Sequence, residues 1–402
     1  MTTLDADVVV VGAGIVGLAT ARALSAEHGR KIVVVETEDR IGVHQTGHNS
    51  GVIHSGIYYR PGSLKARGCV EGRDAMYRYC AERGIAHEAC GKIVVAVDDA
   101  ERPALDELER RGIANGLQGL RRLAPEEILE REAHVAGVDG LLVPQTGIAD
   151  YGAVSAAFAD DVRGAGGEIR LGVRAGTATR DENDIVLETT SAPVRARMLV
   201  NCGGLHADRV ALRCGADPPV RIVPFRGEYY ELREERRHLI NHLVYPVPNP
   251  ALPFLGVHFT RRVDGSVEAG PNAVLAMKRE GYRRFSFSPR DAASNAAWPG
   301  LWRLARRYWR TGAGEWWRSM SKRAFVNALK RLVPALTADD VVRAGAGVRA
   351  QAVDRDGNLV DDFRILELDR MVHVLNAPSP GATASLFIGS SIAETAARHL
   401  AK

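Results

Sequence analysis

The chain has 402 residues, 46% of them hydrophobic and 25% charged, and its formal net charge is +4 at pH 7. This composition predicts a globular protein of two or three domains and excludes a disordered or fibrous chain. The small net charge gives no indication of a nucleic-acid partner. Five cysteines without a C-x-x-C pair favour a reducing compartment, and no apolar run reaches the roughly 18 residues of a membrane span. The chain begins almost directly with a strand and shows no signal peptide, so we expect a cytoplasmic protein.

The first forty residues predict a strand, a helix and a second strand. Residues 8–11 are a continuous apolar run, typical of a parallel strand that is covered on both faces. Residues 15–28 follow a helical pattern, and residues 31–35 form the next apolar run. Helices and strands alternate further along the chain until residues 220–270, where a period of two indicates an antiparallel sheet. A last strand and a helix over residues 383–399 end the chain.

These patterns predict an α/β fold with a second, inserted domain. We expect a Rossmann-like nucleotide-binding domain that is assembled from separated segments, and an α+β substrate domain that contains the antiparallel sheet. The nucleotide-binding domain is assigned residues 1–90, 145–215 and 340–402. The substrate domain is assigned residues 91–144 and 216–339, including a basic aromatic helical segment over 298–333.

The turn after the first strand has the glycine pattern of dinucleotide-binding proteins. Its first glycine permits a tight turn, the second lets backbone N–H groups approach a pyrophosphate, and the third allows the helix to pack on the strand. An acidic residue at the end of the second strand is expected to accept hydrogen bonds from the adenosine ribose. A purely structural glycine turn is the alternative. The predicted contacts of the dinucleotide in this unit are Gly12, Gly14, Ile15, Val16, Gly17 and Glu36.

Two further loops indicate that the dinucleotide is a flavin. A polar, glycine-studded loop follows the second strand and can direct backbone and hydroxyl donors toward the second phosphate and the flavin ring. The loop before the last helix can direct N–H groups and the helix dipole toward the negative charge of a reduced flavin. A solvated surface loop and a simple helix N-cap are the respective alternatives. The predicted contacts here, and in the turn after residue 201, are Thr46, Gly47, His48, Asn49, Ser50, Gly51, Cys202, Gly203, Gly381, Ala382, Thr383, Ala384 and Ser385.

Several of these motifs resemble those of one enzyme family. The segments over 12–17, 46–59, 225–230 and 377–385 together resemble the L-2-hydroxyglutarate dehydrogenase/oxidase family. That family belongs to the D-amino-acid-oxidase-like flavoproteins with a glutathione-reductase-type FAD domain. The resemblance covers nearly the whole chain and implies non-covalent FAD and oxidation of L-2-hydroxyglutarate, a small dicarboxylate, to 2-oxoglutarate. It also implies that electrons pass to a quinone, the respiratory chain or another acceptor.

Oxidation of a 2-hydroxy acid needs a base for the hydroxyl proton, and histidine is suited to that role near neutral pH. His54 directly follows the flavin loop, and His258 shares one face of a predicted strand with Thr260. Both are candidate catalytic bases, and a structural histidine is the alternative for each. We expect His44 and His48 to orient the loop. No group of His, Cys or Asp residues has the spacing of metal ligands, so no metal site is predicted.

The two substrate carboxylates need cations, preferably arginine, because its planar guanidinium can pair with both carboxylate oxygens. The segment over 347–351 resembles the one with which this flavoprotein superfamily binds the α-carboxylate. Arg349 is therefore predicted to bind the α-carboxylate, and a surface salt bridge is the alternative. Weaker candidates for the distal carboxylate are Arg226, Lys278, Tyr58 and Tyr59.

Two other functions remain open at this point. A related flavin enzyme could act on an amino acid, a secondary amine or glycerol 3-phosphate, although a phosphate calls for more basic residues than residues 44–59 supply. A flavin-dependent sensor without turnover is the alternative outside the enzymes. The sequence indicates no oligomeric state.

The segment over 298–333 contains all five tryptophans of the chain, and its residues 298–331 contain nine lysines and arginines against one glutamate. We predict a pair of amphipathic helices with a break at residues 312–314. Aromatic and cationic residues in such helices are typical of an interfacial membrane anchor. The expected role is peripheral docking on the cytoplasmic face of a membrane that contains the quinone. Inward packing of the aromatic residues and a subunit contact are the alternatives.

Overall fold

The structure is a computed structural model that describes residues 4–181, 183–249 and 255–401. The described residues form ten α-helices: α1 (Ile15–Ala26), α2 (Leu64–Arg83), α3 (Arg102–Ala114), α4 (Pro125–Arg131), α5 (Tyr151–Gly164), α6 (Ala207–Arg213), α7 (Pro289–Ala296), α8 (Pro299–Met320), α9 (Lys322–Leu329) and α10 (Ser385–Leu400). None of these helices is both long and apolar enough to cross a membrane.

The described residues also form twenty strands in three sheets: β1 (Ala6–Val11), β2 (Ile32–Val35), β3 (Val52–Ile53), β4 (His87–Glu88), β5 (Lys92–Ala96), β6 (Arg121–Leu123), β7 (Asp139–Val143), β8 (Gly147–Ala149), β9 (Glu168–Arg170), β10 (Ala175–Asp181), β11 (Asp184–Thr189), β12 (Val194–Asn201), β13 (Val220–Leu232), β14 (Leu243–Pro246), β15 (His258–Arg261), β16 (Val267–Gly270), β17 (Val274–Leu275), β18 (Val341–Asp354), β19 (Arg364–Leu368) and β20 (Met371–Asn376).

The first sheet has a parallel centre with the order β9-β2-β1-β12-β20, and β10, β11 and β19 pair antiparallel with it at the margins. The apolar run that begins the chain is buried on both faces. Val8 and Val10 face α1, α5 and α10, whereas Val9 and Val11 face the layer formed by β10, β11 and α6. This burial explains why the strand reads as a continuous apolar run and not as an alternating one.

The second sheet has nine strands in the order β17-β13-β16-β15-β14-β5-β7-β6, with β18 paired along the other edge of β13. Its pairs are antiparallel except that β14 runs parallel to β5. The period-two region between residues 220 and 270 lies in this sheet, as predicted. The domain division stays a prediction, but the pairing places β18, which lies within the predicted segment 340–402, in the second sheet.

Helix α8 is interrupted at a different position from the one that was predicted. The predicted break at residues 312–314 is wrong, because the helix continues through both glycines and kinks at Tyr308, whose φ and ψ are −118° and 21°. The chain leaves the helix only after Met320, and Ser321 then caps α9 by accepting a hydrogen bond from the Ala324 N–H at 3.2 Å. Gly312 and Gly314 have open space around them, so no neighbouring atom prevents the backbone from remaining helical at these glycines.

Candidate active site

The glycines in the turn between β1 and α1 differ in whether a Cβ atom would fit at their positions. Gly12 has a φ of +103°, and a Cβ there would lie 2.7 Å from the Cys202 carbonyl oxygen. A Cβ on Gly17 would overlap the Gly12 carbonyl oxygen. Both positions therefore require glycine for the packing of the chain itself. Gly14 is different, because a Cβ there would meet only the Thr46 hydroxyl at 3.5 Å, an ordinary contact distance.

The residues around this turn bind two of its backbone N–H groups. Gly14 is the N-cap of α1 and provides no side-chain cap, so the Ile15 N–H donates instead to the Thr46 hydroxyl at 3.0 Å. Glu36 lies directly after β2, and its carboxylate accepts hydrogen bonds from the N–H groups of Ala13 at 2.7 Å and Glu38 at 3.0 Å. A carboxylate has about four lone-pair positions, so Glu36 retains acceptor capacity for ribose hydroxyls.

The polar loop after β2 is held in a defined shape by its own side chains. Asn49 donates to the Thr46 carbonyl at 2.6 Å and accepts from the Gly51 N–H at 2.8 Å. The His48 ring stacks on Tyr282 with their centroids 4.1 Å apart. Gln45, which the sequence analysis did not identify, accepts a hydrogen bond from the Ala350 N–H at 3.0 Å and so attaches β18 to this loop.

The loop before α10 joins the same region from the other end of the chain. Thr383 is buried, and its hydroxyl contacts the Val52 carbonyl at 3.2 Å and accepts from the His54 N–H at 3.1 Å. The Tyr151 hydroxyl lies 3.1 Å from the Thr383 hydroxyl oxygen. Thr383 therefore fastens the C-terminal loop to β3, which directly follows the polar loop. The Ser385 hydroxyl is buried without a hydrogen-bond partner among the described residues.

These surroundings fit a bound dinucleotide. Gly14 leaves room at a helix N-terminus, where N–H groups favour an anion. The Ser385 hydroxyl is a buried polar atom that has no hydrogen-bond partner in the described part of the chain, and such an atom is costly unless a ligand satisfies it. A cavity of about 260 Å³ adjoins the polar loop and is lined by Arg40, Ile41, Gly42, Val43, Thr46, Gly47, His48, Gly152 and Ser155.

Of the two candidate bases, His258 is buried and His54 is half-buried with a buried Nδ1, and they differ in their hydrogen bonds. Burial, with the positive charges of Lys92, His258 and Lys65, lowers the pKa of His54 to about 3. Burial also lowers the pKa of His258 to about 3, and Arg349 and Lys92 contribute to that shift. His258 Nδ1 lies 2.9 Å from the Gly256 carbonyl, which assigns its proton to Nδ1 and leaves Nε2 as an acceptor. Both imidazoles are neutral at physiological pH.

Two cations accompany these histidines. Arg349 is a partly buried residue of β18, where it faces Phe225 of β13, and burial lowers the pKa of its guanidinium. Lys92 begins β5 and is only 1% exposed. Burial lowers the pKa of its ammonium to about 7. Lys92 is not among the predicted site residues, because a lysine at the start of an apolar strand usually marks the point where the strand meets solvent.

The other predicted substrate residues have partners within the protein. Arg226 is buried, forms an ion pair with Glu228 at 2.9 Å and donates to the Arg284 carbonyl at 2.8 Å. Lys278 is nearly half exposed and lies 3.8 Å from Glu280. The remaining two are tyrosines, each next to a lysine: the ammonium of Lys65 lies 4.8 Å from the ring of Tyr59, and that of Lys92 lies 4.2 Å from the ring of Tyr58.

The fold brings together one group of possible metal ligands that the spacing of residues in the sequence does not reveal. Glu38, His44 and Glu280 have ligand atoms within 4.8 Å of one another. His44 Nε2 lies 3.3 Å from Glu38, and His206 Nε2 lies 2.9 Å from Glu280. These ion pairs link the polar loop to the segment after β17.

The parallel sheet, the glycine turn with its acid and the two loops define an FAD-dependent oxidoreductase. L-α-glycerophosphate oxidase from Mycoplasma pneumoniae, solved with FAD bound, has a TM-score of 0.80 at 24% identity and covers 99% of this chain and 95% of its own. Glycine oxidase from Geobacillus kaustophilus has a TM-score of 0.73 at 18% identity and covers 98% of this chain and 95% of its own. These similarities confirm the predicted fold class.

The family described as FAD dependent oxidoreductase (DAO) matches residues 7–395, and the chain belongs to this family and has FAD as its cofactor. L-2-hydroxyglutarate dehydrogenase from Indibacter alkaliphilus is 46% identical over 395 residues, which are 98% of this chain and 99% of the relative. The human mitochondrial L-2-hydroxyglutarate dehydrogenase is 44% identical, with 98% and 89% covered. The enzyme of that name from Escherichia coli K12 is 42% identical, with 96% and 92% covered. The predicted resemblance is thus confirmed.

Proposed function

We propose that the chain oxidises L-2-hydroxyglutarate to 2-oxoglutarate. The observation that carries this proposal is a group of buried and half-buried basic side chains beside the flavin loops, formed by Arg349, Lys92, His54 and His258. Such a group suits a small dianion, and the names of the relatives supply the particular dicarboxylate. FAD, when bound beside these loops, would supply the two-electron oxidant for this reaction.

The side chains of this chain supply binding and proton transfer. Arg349 binds the α-carboxylate, because a guanidinium can pair with both of its oxygens and thereby orient C2. His54 Nδ1 takes the hydroxyl proton as the C2–H bond breaks, so that the product is a ketone and His54 becomes an imidazolium. His54 suits this role because it is held between both flavin loops through Thr383 and its Nδ1 is buried with no hydrogen-bond partner in the described residues.

Substrate binding also makes His54 a stronger base. The positive charge of Lys92 lowers the pKa of His54 in the free protein, in addition to burial. A dianionic substrate offsets this charge at close range and so raises the pKa of His54 toward the value that a general base needs. The same electrostatic interaction therefore couples substrate binding to proton abstraction.

Anaerobic mixing tests this function. We expect the visible absorbance of the oxidised flavin to disappear when L-2-hydroxyglutarate is added, and one equivalent of 2-oxoglutarate to form per flavin. The D-enantiomer, D-amino acids, sarcosine and glycerol 3-phosphate serve as controls and should leave the flavin oxidised. Reduction by one of those compounds and not by L-2-hydroxyglutarate would refute the proposal, and no reduction by any of them would favour a sensor.

We also propose that the enzyme passes its electrons to a membrane quinone from a peripheral position on the cytoplasmic face of the membrane. The predicted aromatic segment exposes four of its five tryptophans by more than 60% each, namely Trp302, Trp309, Trp316 and Trp317. Exposed tryptophans beside arginines are typical of proteins that bind at a lipid interface. The fifth, Trp298, is buried and donates to the Val353 carbonyl at 3.1 Å, so it anchors α8 to β18.

The exposed face of α8 is also connected to the substrate site. Glu315 of α8 accepts a hydrogen bond from the Ala273 N–H at 3.0 Å, and its charge acts on Arg349. A membrane bound at the exposed tryptophans would therefore lie against a helix that also contacts the surroundings of Arg349.

Sedimentation with vesicles tests the membrane proposal. We expect the holoenzyme to sediment with phosphatidylglycerol vesicles at low salt and to be released at high salt, because screening weakens the attraction between arginines and anionic lipid. A Trp302/Trp309/Trp316 triple alanine variant should bind much more weakly and keep its activity with a soluble dye. A variant that sediments as well as the wild type, or a wild type that never sediments, would contradict the proposal.

A further inference from the structure

Lys92 is an unusual residue within the second sheet. Its backbone is paired on both sides, with Leu243 of β14 and Val143 of β7. Its ammonium lies 4.2 Å from the centroid of the Tyr58 ring and 4.9 Å from that of the Tyr245 ring. Nζ has no hydrogen-bond partner among the described residues, although an ammonium has three donors. A buried cation in this condition is costly unless something neutralises it.

The charges around Lys92 do not neutralise it. Lys92 lies near enough to His54 and His258 to lower the pKa of both. The titratable group that acts on Lys92 itself is the Cys69 thiol, and burial raises the pKa of that thiol to about 12, so it carries no charge near neutral pH. No carboxylate of the described residues is among the groups that shift the pKa of Lys92, His54 or His258. The described residues therefore supply no counter-charge for Lys92.

The other cations near the site have acidic partners. Lys65 pairs with Asp361 at 2.8 Å, and Arg226 pairs with Glu228 at 2.9 Å. These side chains are neutralised by the protein, whereas Lys92 is positioned to be neutralised by a ligand.

We propose that the ammonium of Lys92, held between the rings of Tyr58 and Tyr245, binds the distal carboxylate of the substrate. This inference rests on the proposed function and adds the residue that selects a dicarboxylate. The site is continuous, because the His258 ring lies 3.9 Å from the Tyr245 ring and the charge of Arg349 acts on His258. Arg349 thus marks the end of the site that binds the α-carboxylate, and Lys92 marks the other end, with His258 within the electrostatic range of both.

A Lys92→Met variant tests the proposal, since methionine preserves the length and removes the charge. With holoenzyme, we expect KM for L-2-hydroxyglutarate to rise by about 10²-fold, the size of effect seen when one partner of a buried charge pair is removed, while kcat changes much less. For L-2-hydroxybutanoate, which lacks the distal carboxylate, KM of the variant should differ from that of the wild type by less than about threefold. Binding of glutarate, followed through the flavin spectrum, should weaken in parallel with KM.

A matched control and a second variant keep this test decisive. Lys65→Met removes another buried lysine, one that already pairs with Asp361, and should leave the ratio of dicarboxylate to monocarboxylate activity unchanged. If Lys92→Met gives no folded holoenzyme, Lys92→Arg should keep the preference for the dicarboxylate and Lys92→Gln should lose it. An unchanged ratio in Lys92→Met or Lys92→Gln overturns the inference. A wild type that L-2-hydroxyglutarate does not reduce overturns the proposed function instead.

Discussion

A Gly14→Val variant is expected to fold and to be purified as a colourless protein. The φ of Gly14 is −76°, which any residue adopts, and its surroundings tolerate a Cβ. The valine side chain would instead occupy the space at the N-terminus of α1 through which a pyrophosphate approaches the backbone N–H groups. The wild type should be yellow and should release FAD on acid precipitation, and the variant should contain no flavin.

Thermal unfolding separates this ligand effect from a folding defect. The unfolding temperature of Gly14→Val should match that of wild type stripped of FAD, because bound cofactor adds stability by mass action. Gly17→Ala is the contrasting control, since its Cβ would overlap the Gly12 carbonyl oxygen and should destabilise the apoprotein itself. Stoichiometric FAD in purified Gly14→Val would show that the pyrophosphate does not lie against this turn.

The nucleotide-binding part could be predicted from sequence because its signals are local. The apolar strand, the glycines, the helix and Glu36 follow one another within about thirty residues, and each has its own physical reason. The predicted helix over 15–28 is observed at Ile15–Ala26, and the predicted helix over 383–399 at Ser385–Leu400. The period-two region likewise appears as antiparallel strands of the second sheet.

The distal part of the substrate site could not be predicted in the same way. Lys92 and Tyr245 meet only because β5 and β14 pair side by side, although about 150 residues separate them in the chain. In sequence, Lys92 looks like the polar edge of an apolar strand. Its burial and its lack of an acidic partner are properties of the assembled sheet, and they become visible only when the second sheet is complete.

Arg226 was predicted to bind the substrate, but it pairs with a carboxylate of the protein itself. An arginine within a motif shared with the family is a reasonable candidate for a carboxylate, but Glu228, two residues further along β13, is that carboxylate. Residues two apart on a strand point to the same face, so the pair is consistent with the strand pattern. Arg226 also donates to the carbonyls of Arg283 and Arg284, which makes it a link between β13 and the loop before α7.

The histidine pair gives the second prediction of large effect. His54→Gln is expected to lower kcat by about 10²- to 10⁴-fold, because the variant loses the base for the hydroxyl proton while KM changes little. His258→Gln should mainly raise KM, since His258 lies beside Arg349 and is held by the Gly256 carbonyl. Flavin content should be unchanged in both, which a spectrum of each purified variant checks.

The pH dependence of these variants distinguishes the two roles. The pKa of His54 in the free enzyme is lowered to about 3, so the imidazole is already deprotonated at pH 5 and kcat/KM of the wild type should show no loss of activity on acidification through pH 6.5. Added imidazole should restore part of kcat to a His54→Gly variant, because it can enter the space and accept the proton. A larger loss of kcat in His258→Gln than in His54→Gln, together with rescue of His258→Gly, would assign the base to His258, whose Nε2 has the free lone pair that the role requires.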